Sequence, residues 1–433
     1  MGTLAIRGGR VLTPAMEVHE ADVLIDQEAG SILAVGTDVG TGDETIDATE
    51  QLIVPGLVNA HCHVAMTLFR GIADDKQLDR WLSEDIWPLE AELRPADVFA
   101  GARLGLLEMI KSGTTAFADM YFHVPQIARA VEEAGIRGVI GHTAITVGKD
   151  EAAALADLEE SLAVALEYED AADGRIRTSF QPHALTTVGT EYLDRFVPRA
   201  HQAGLPIHFH ANETRDEVDP IVEEHGRRPL VYADERGLLT DTSWIAHGVH
   251  VDNEEIDLLA DRGTGVAHCP ASNMKLASGM APVQQLLDAG VGVGIGTDGA
   301  ASNNDLDMFD ELRDAAMLGK LAADDAAAMD AATTFTAATA GGADLLGLAT
   351  GRIEPGAPAD LAVLALDRPH LTPAHDLLSH LVYAARGADV RHTICAGRVL
   401  MRDRTVLSLD ERATIRAARR RAETLLARAN GSV

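Results

Sequence analysis

Val54-Pro55-Gly56-Leu57-Val58-Asn59-Ala60-His61-Cys62-His63-Val64-Ala65-Met66-Thr67 is the stretch from which the rest of the chain can be read. The apolar run Leu52-Ile53-Val54 passes through Pro55-Gly56 into Leu57-Val58, and two histidines follow, one residue apart. Side chains alternate faces along an extended strand, so His61 and His63 point one way and Cys62 the other. Two neutral imidazoles on one face can share a metal ion, but a working site needs a third and usually a fourth donor. The pair alone is weak. With 17 histidines in 433 residues, packed or solvated histidines without a metal are the competing reading until further donors are found.

Outward from this stretch, apolar strand texture alternates with helical texture, which points to parallel β/α units. Strands are expected at residues 57–63, 114–120, 138–144, 177–183, 206–211, 243–249, 265–269 and 291–297. Eight is the number that closes a barrel, and such a barrel takes ~250 residues as one unit. Between strands, Val98, Ala102, Leu106 and Met109 recur at helical spacing after Pro95, a good first-turn residue. Asp252 with Glu255, and Ser302 with Asp305, have capping-box spacing ahead of the helices after strands six and eight. Short strand-and-turn runs fill residues 1–54 and return at 359–364 and 393–400, so the two ends are expected to share a small β-sandwich. The expected layout is 1–54 sandwich, 55–352 α/β (β/α)8 TIM-type barrel, 353–407 sandwich and 408–433 C-terminal helix.

Catalytic side chains in such barrels gather at the C-terminal ends of the strands. The polar residues there are His61 and His63, His183, His210, His247, His268 and Asp298. Scattered surface histidines have no reason to follow every apolar strand, so this concentration argues for a site. Gly294-Ile295-Gly296-Thr297-Asp298-Gly299 also fits a dinucleotide fingerprint, but a carboxylate inside that loop would repel the pyrophosphate.

The sequence resembles the amidohydrolase superfamily, and within it the branch of S-adenosylhomocysteine and methylthioadenosine deaminases. The motifs are Pro55-Gly56-Leu57-Val58-Asn59-Ala60-His61-Cys62-His63, Trp87-Pro88-Leu89-Glu90, Ser112-Gly113-Thr114-Thr115, His210-Ala211-Asn212-Glu213-Thr214, His268-Cys269-Pro270-Ala271-Ser272-Asn273, Gly296-Thr297-Asp298-Gly299 and the segment 351–361. The resemblance implies hydrolytic deamination of an adenine nucleoside, with His61, His63, His210 and Asp298 holding one divalent metal, most plausibly zinc. It implies Glu213 as the acid that protonates the purine, Asp298 as the proton acceptor and His247 as the stabiliser of the tetrahedral intermediate. Glu90 would bind ribose hydroxyls, His183 would touch substrate, and Trp81 and Trp87 could wall off the base, although aromatic residues are more often plain packing. His208 is read as a supporting rather than a ligating histidine, and no lysine ends strand four, as dinuclear relatives would require. His142 stands where relatives often carry an arginine for the amino-acid tail of S-adenosylhomocysteine, which tilts the reading toward neutral 5′-substituted adenosines. Competing readings keep the metal but take a free base (guanine or cytosine) or a chlorotriazine, or make the chain a non-catalytic scaffold. A small-molecule substrate, homo-oligomeric assembly and neither nucleic-acid nor membrane partners are expected.

Composition sets the surroundings. Cys62, Cys269 and Cys395 form no paired motif, so reduced thiols are expected, and the opening Met1 to Arg7 lacks a leader pattern, consistent with the cytoplasm. The Arg-rich segment 410–430 reads as a helix, either an anion-binding arm or a closing helix that pairs its arginines with the chain's own acids. Net charge is −31, from 67 acidic against 36 basic residues, which disfavours nucleic acid and anionic membranes. Salt screens such self-repulsion, so a salt-loving host is expected. Dialysis into dilute buffer should therefore lower both activity and melting temperature; unchanged values would refute this reading.

Overall fold

In the computed structural model, which describes residues 2–431, every expected apolar stretch contributes parallel strand. Met1, Ser432 and Val433 lie outside the described residues, and with them the first position of the leader reading and the last two of the expected closing segment. The strands are β1 (Leu57–Cys62), β2 (Thr114–Tyr121), β3 (Arg137–Ala144), β4 (Ile176–Thr178), β5 (Gln181–Pro182), β6 (His208–Ala211), β7 (Trp244–His247), β8 (Gly265–His268) and β9 (Val293–Ile295). Nearly all their residues are buried, the expected state of parallel strands covered on both faces, which read as unbroken apolar runs.

The fourth stretch is broken into β4 and β5, both paired with β3. At the break Phe180 is fully buried, and its N–H turns to the Pro206 carbonyl at 2.8 Å. One residue thus changes partners and joins the two runs of strands. The first run is ordered β4-β3-β2-β1 and the second β6-β7-β8-β9. They meet through parallel bridges Phe180↔Ile207 and Ala184↔His210. On the other side, the Asp298 N–H donates to the His61 carbonyl at 3.0 Å. Gly296 is needed there: a Cβ at that position would lie 2.7 Å from the His61 nitrogen. The glycine serves close backbone approach, not a phosphate cradle.

The helix Pro95–Ser112 starts at its proline, buries Val98, Ala102, Leu106 and Met109, and stops at Gly113, whose φ of +86° favours glycine. Asp252 and Glu255 cap the helix Asn253–Arg262 reciprocally, as expected. The second expected cap is corrected. The helix after β9 begins at Met308 and is capped by Asp307; Asp305 accepts the Asp307 N–H at 2.9 Å, and Ser302 turns inward to Asp298. Capping spacing was present at 302 and 305, but a buried carboxylate was the better hydrogen-bond partner.

Two further sheets gather the chain ends. One is N-terminal, ordered Ser31–Gly36, Asp22–Asp26, Thr3–Arg7, Glu44–Asp47. The other joins the N-terminal strands Val18–Glu20, Arg10–Leu12 and Gln51–Pro55 to Leu361–Ala365, Val390–Cys395, Arg398–Arg402 and Thr405–Val406. A separate apolar cluster containing Leu4, Ile25, Ile46, Ile53, Val363 and Ile394 draws on both sheets. The last helix, Glu411–Ala429, is capped by Asp410 and packs along Pro95–Ser112. Its Arg428 forms an ion pair with Asp97, both side chains almost wholly buried. Arg428→Ala should lower the unfolding free energy by about 3 to 5 kcal/mol, because among the described residues it leaves the buried Asp97 carboxylate with only Arg421, 3.7 Å away, as a charged partner. Denaturant melts measure this, and a loss under about 1 kcal/mol, the scale of a surface pair, would contradict it.

Candidate active site

The strand ends bring the expected donors together. Asp298, just past β9, places Oδ1 3.1 Å from His63 Nε2 and 3.5 Å from His61 Nε2. Its other oxygen accepts from the hydroxyls of Ser272 at 2.6 Å and Ser302 at 2.7 Å. Donor atoms of His61, His210 and His247 lie within 4.8 Å of one another, as do those of His61, His63 and Asp298. Asn212, His247 and Asp298 all hold positive φ (+55°, +73° and +59°), so the chain turns left-handed just where it delivers these groups. Asn, His and Asp are among the side chains that tolerate this region.

Each imidazole has its Nδ1 edge engaged by a fixed partner. His63 faces the Met120 carbonyl at 2.6 Å, His210 the His183 carbonyl at 2.8 Å, His247 the Asn273 Oδ1 at 2.9 Å and His61 the His208 Nε2 at 2.8 Å. The Nε2 atoms therefore face inward, and that of His61 is buried without a hydrogen-bond partner. Burial lowers the His61 pKa to about 4 and that of His210 well below the usual range, so both are neutral. Burial opposes ionisation of Asp298 as well, but the histidines hold its carboxyl well below the usual range. Against the cost of burial, the same carboxylate raises His63 to about 9. Neutral imidazoles, an ionised carboxylate, an orphaned inward nitrogen and a site that draws positive charge onto His63 together fit a divalent metal ion.

A cavity opens beside these donors, with His63, His183, His210, His247 and Asp298 on its wall. Glu213 also faces it. Its Oε1 accepts from the Ser278 hydroxyl at 3.1 Å, Oε2 lies 3.6 Å from His247 Nε2, and burial raises its pKa. Glu90 lines the cavity beside Tyr121, and burial pushes its carboxyl up to about 7. His183 is steadied by Thr187 at 2.9 Å, and burial takes it down to about 3. Trp81 and Trp87 both line the cavity, Trp81 buried and Trp87 40% exposed.

Two expectations are corrected. His142 does not line the cavity: it is buried against Phe122, and its Nε2 meets Asp157 at 3.0 Å. Alternation along β3 presents Thr143 to the cavity in its place, with Ile145 beyond. His268 ends β8 as expected but stays outside the cavity and the donor group, buried with neither ring nitrogen hydrogen-bonded. Residues missed in the sequence include Ser302 and Ser278, whose hydroxyls orient Asp298 and Glu213, and Glu217, whose Oε2 accepts the Glu213 N–H at 2.8 Å. Glu217 had a signal, since it follows Glu213 by one helical turn and lies three after Thr214, the cap of that helix. Cys62, Cys269 and Cys395 are free and buried, and no helix among the described residues is long and apolar enough to cross a membrane.

Comparison with known proteins agrees with this geometry. The chain is 67% identical over 431 residues, 99% of its length and all of the relative's, to a 5-methylthioadenosine/S-adenosylhomocysteine deaminase of Haloarcula marismortui. It is 46% identical over 410 residues, 95% of its length and 96% of the relative's, to a 5′-deoxyadenosine deaminase of Methanothermobacter thermautotrophicus. Among solved structures, an adenosine deaminase from Xanthomonas campestris with bound zinc superposes with a TM-score of 0.92 at 38% identity, covering 98% of each chain. The amidohydrolase family pattern matches residues 52–400, and this chain belongs to that family.

Proposed function

We propose that the protein deaminates an adenine nucleoside of the 5′-methylthioadenosine, S-adenosylhomocysteine or 5′-deoxyadenosine type, consuming water and releasing the inosine analogue and ammonia. The observation that carries this reading is that His61 lies within reach of His63 and Asp298 in one donor group and of His210 and His247 in another, beside a cavity lined by His63, His210, His247, Asp298, Glu213 and Glu90. The names of the relatives, deaminases of these nucleosides, support the same substrate class. His61, His63, His210 and Asp298 would hold one divalent metal, read as zinc by analogy with the Xanthomonas structure. When bound, such an ion lowers the pKa of a coordinated water toward ~7 and so supplies hydroxide at neutral pH.

The chain's own groups then divide the work. Glu213, whose pKa burial raises, donates in its acid form to the purine nitrogen beside the amino-bearing carbon. The attacking water gives its proton to Asp298, and His247, whose Nδ1–H is engaged by the Asn273 Oδ1, donates from Nε2 as the imidazolium to the oxygen as the ring carbon becomes tetrahedral. The proton held by Asp298 passes to the amine, which leaves as ammonia. As the C–N bond breaks the C=O bond forms, and the hydroxyl proton left on that oxygen returns to Glu213, so both carboxyl groups are restored. Glu90 accepts from the ribose hydroxyls, and His183, which lines the same cavity, touches the substrate.

The same reading extends to architecture. Phe180↔Ile207, Ala184↔His210 and the Asp298 to His61 hydrogen bond support a closed (β/α)8 barrel spanning 55–352. The apolar cluster shared by the terminal sheets supports a β-sandwich built from 1–54 and 353–407, closed by the 408–433 helix. A cytoplasmic homo-oligomer without nucleic-acid partners completes the proposal.

Glu213→Gln should lower kcat by at least about a hundredfold, the scale of general acid catalysis, while bound metal measured by elemental analysis stays the same. Unchanged turnover would remove Glu213 from its role, and metal-free wild-type protein would undo the metal assignment. The cavity also bears on the 5′ substituent. No lysine or arginine lines it among the described residues, whereas Asp79, Asp216 and Glu217 do, and Lys149 is tied to Asp157 at 2.8 Å. Ammonia release should show kcat/KM for 5′-methylthioadenosine exceeding that for S-adenosylhomocysteine by at least about tenfold, equivalent to 1.4 kcal/mol. Equal or reversed values would show that the tail carboxylate finds a cation elsewhere.

A further inference from the structure

The hydrogen bonds behind the donor rings determine which nitrogen of each ring carries a proton. A backbone carbonyl only accepts, so His63, facing the Met120 carbonyl, and His210, facing the His183 carbonyl, must each carry hydrogen on Nδ1. In the neutral rings that ligate, Nε2 is then bare. Both tautomers are set by main chain, which no side-chain substitution removes.

His61 is different. Its Nδ1 faces another imidazole, His208 Nε2, at 2.8 Å, and His208 Nδ1 faces the Trp244 carbonyl at 3.0 Å. The carbonyl requires hydrogen on His208 Nδ1, which leaves His208 Nε2 bare and able only to accept. His61 must then donate from Nδ1, and its Nε2 is bare toward Asp298 and the neighbouring donors. His61 and His208 are both fully buried, so neither role is open to bulk water. The His208 ring also lies flat on Trp244, centroids 4.5 Å apart and planes 12° off parallel, which holds it in place for both bonds.

We propose that His208 is a positioning residue which, through a carbonyl–imidazole–imidazole relay from Trp244, fixes the tautomer and orientation of His61 for metal binding. This rests on His61 being a metal ligand, as read above. Without an acceptor at position 208, the His61 Nδ1–H is left buried and unpaired, a penalty the ring can avoid by moving its proton to Nε2, where it blocks the metal. Outer partners of ligating histidines are worth about 10- to 100-fold in metal affinity.

The test compares zinc affinity, by competition with a chromophoric chelator, among wild type, His208→Phe and His208→Gln. Phenylalanine keeps an aromatic ring on Trp244 but offers no acceptor, and zinc affinity should fall about 10- to 100-fold. Glutamine offers one acceptor and one donor and should recover part of that loss. A role in packing alone predicts the opposite order, with Phe better tolerated than Gln. Equal zinc affinity in wild type and His208→Phe overturns the proposal while leaving the metal site standing. Wild-type protein that takes up no zinc overturns the metal reading, and this proposal with it. Should His208→Phe fail to fold, histidine ¹⁵N spectra of zinc-loaded wild type decide directly. Protonated Nδ1 on both His61 and His208 supports the relay, and protonated Nε2 on either refutes it.

Discussion

The site depends on one carboxylate brought against two imidazoles at the wall of a cavity where little of any of the three is exposed. Asp298 Oδ1 meets the Nε2 atoms of His61 and His63, and its other oxygen is held by Ser272 and Ser302. A negative group so enclosed is expensive to bury unless positive charge accompanies it. Within the chain that charge falls on His63, whose pKa rises to about 9. The contact also has a structural consequence. His61 ends β1 and Asp298 follows β9, so whatever holds their side chains together also holds together the first and last of the parallel strands.

Around this fixed charge, burial sorts the other carboxyls. Glu213 is raised, and Glu90 and Glu217 are each pushed to about 7, all three chiefly by removal from water, while the Asp298 carboxyl is driven the other way by its histidines. Titratable groups pushed apart in one cavity are the physical mark of an acid and a base with separate tasks. In a chain of net charge −31, this separation also matters for assembly, because four ionised carboxylates in one cavity would repel each other strongly.

Much of this was legible in sequence because it is local. Fully buried parallel strands read as apolar runs, and the donors lie in the last residues of such a strand, as His61, His210 and His247 do, or just beyond it, as Asp298 does. Helix caps were legible when the partners were three residues apart and nothing nearer competed, as with Asp252 and Glu255. Ser302 failed by the same rule, because its stronger partner, Asp298, is set by the fold rather than by the spacing. The direction of His142 depended on the register of β3 and on Asp157 in a following helix. The break between β4 and β5 hinged on Phe180 finding the Pro206 carbonyl, a partner outside its own strand. What sequence could not supply is therefore mostly the second partner of a side chain whose first partner it could name.

The left-handed residues at the strand ends show what convergence demands of the backbone. A straight strand would carry its last side chains past the centre, whereas Asn212, His247 and Asp298 each turn with positive φ, so that the chain departs sideways just beyond His210, within the end of β7 and just beyond β9. Such conformations cost of order 1 kcal/mol each or more in bulky side chains and persist where surroundings over-determine them. Here the surroundings are specific: Asn212 Nδ2 donates to Glu255 at 2.9 Å, His247 leans on Asn273, and Asp298 is held by two serines and by its N–H to His61. Glu255 belongs to the capping box of the helix Asn253–Arg262, which follows β7, so one carboxylate both starts a helix and steadies the turn after the β6 donor strand. The arrangement of donors is thus a property of the strand ends and the helices behind them, and residues outside the cavity decide how accurately it is held.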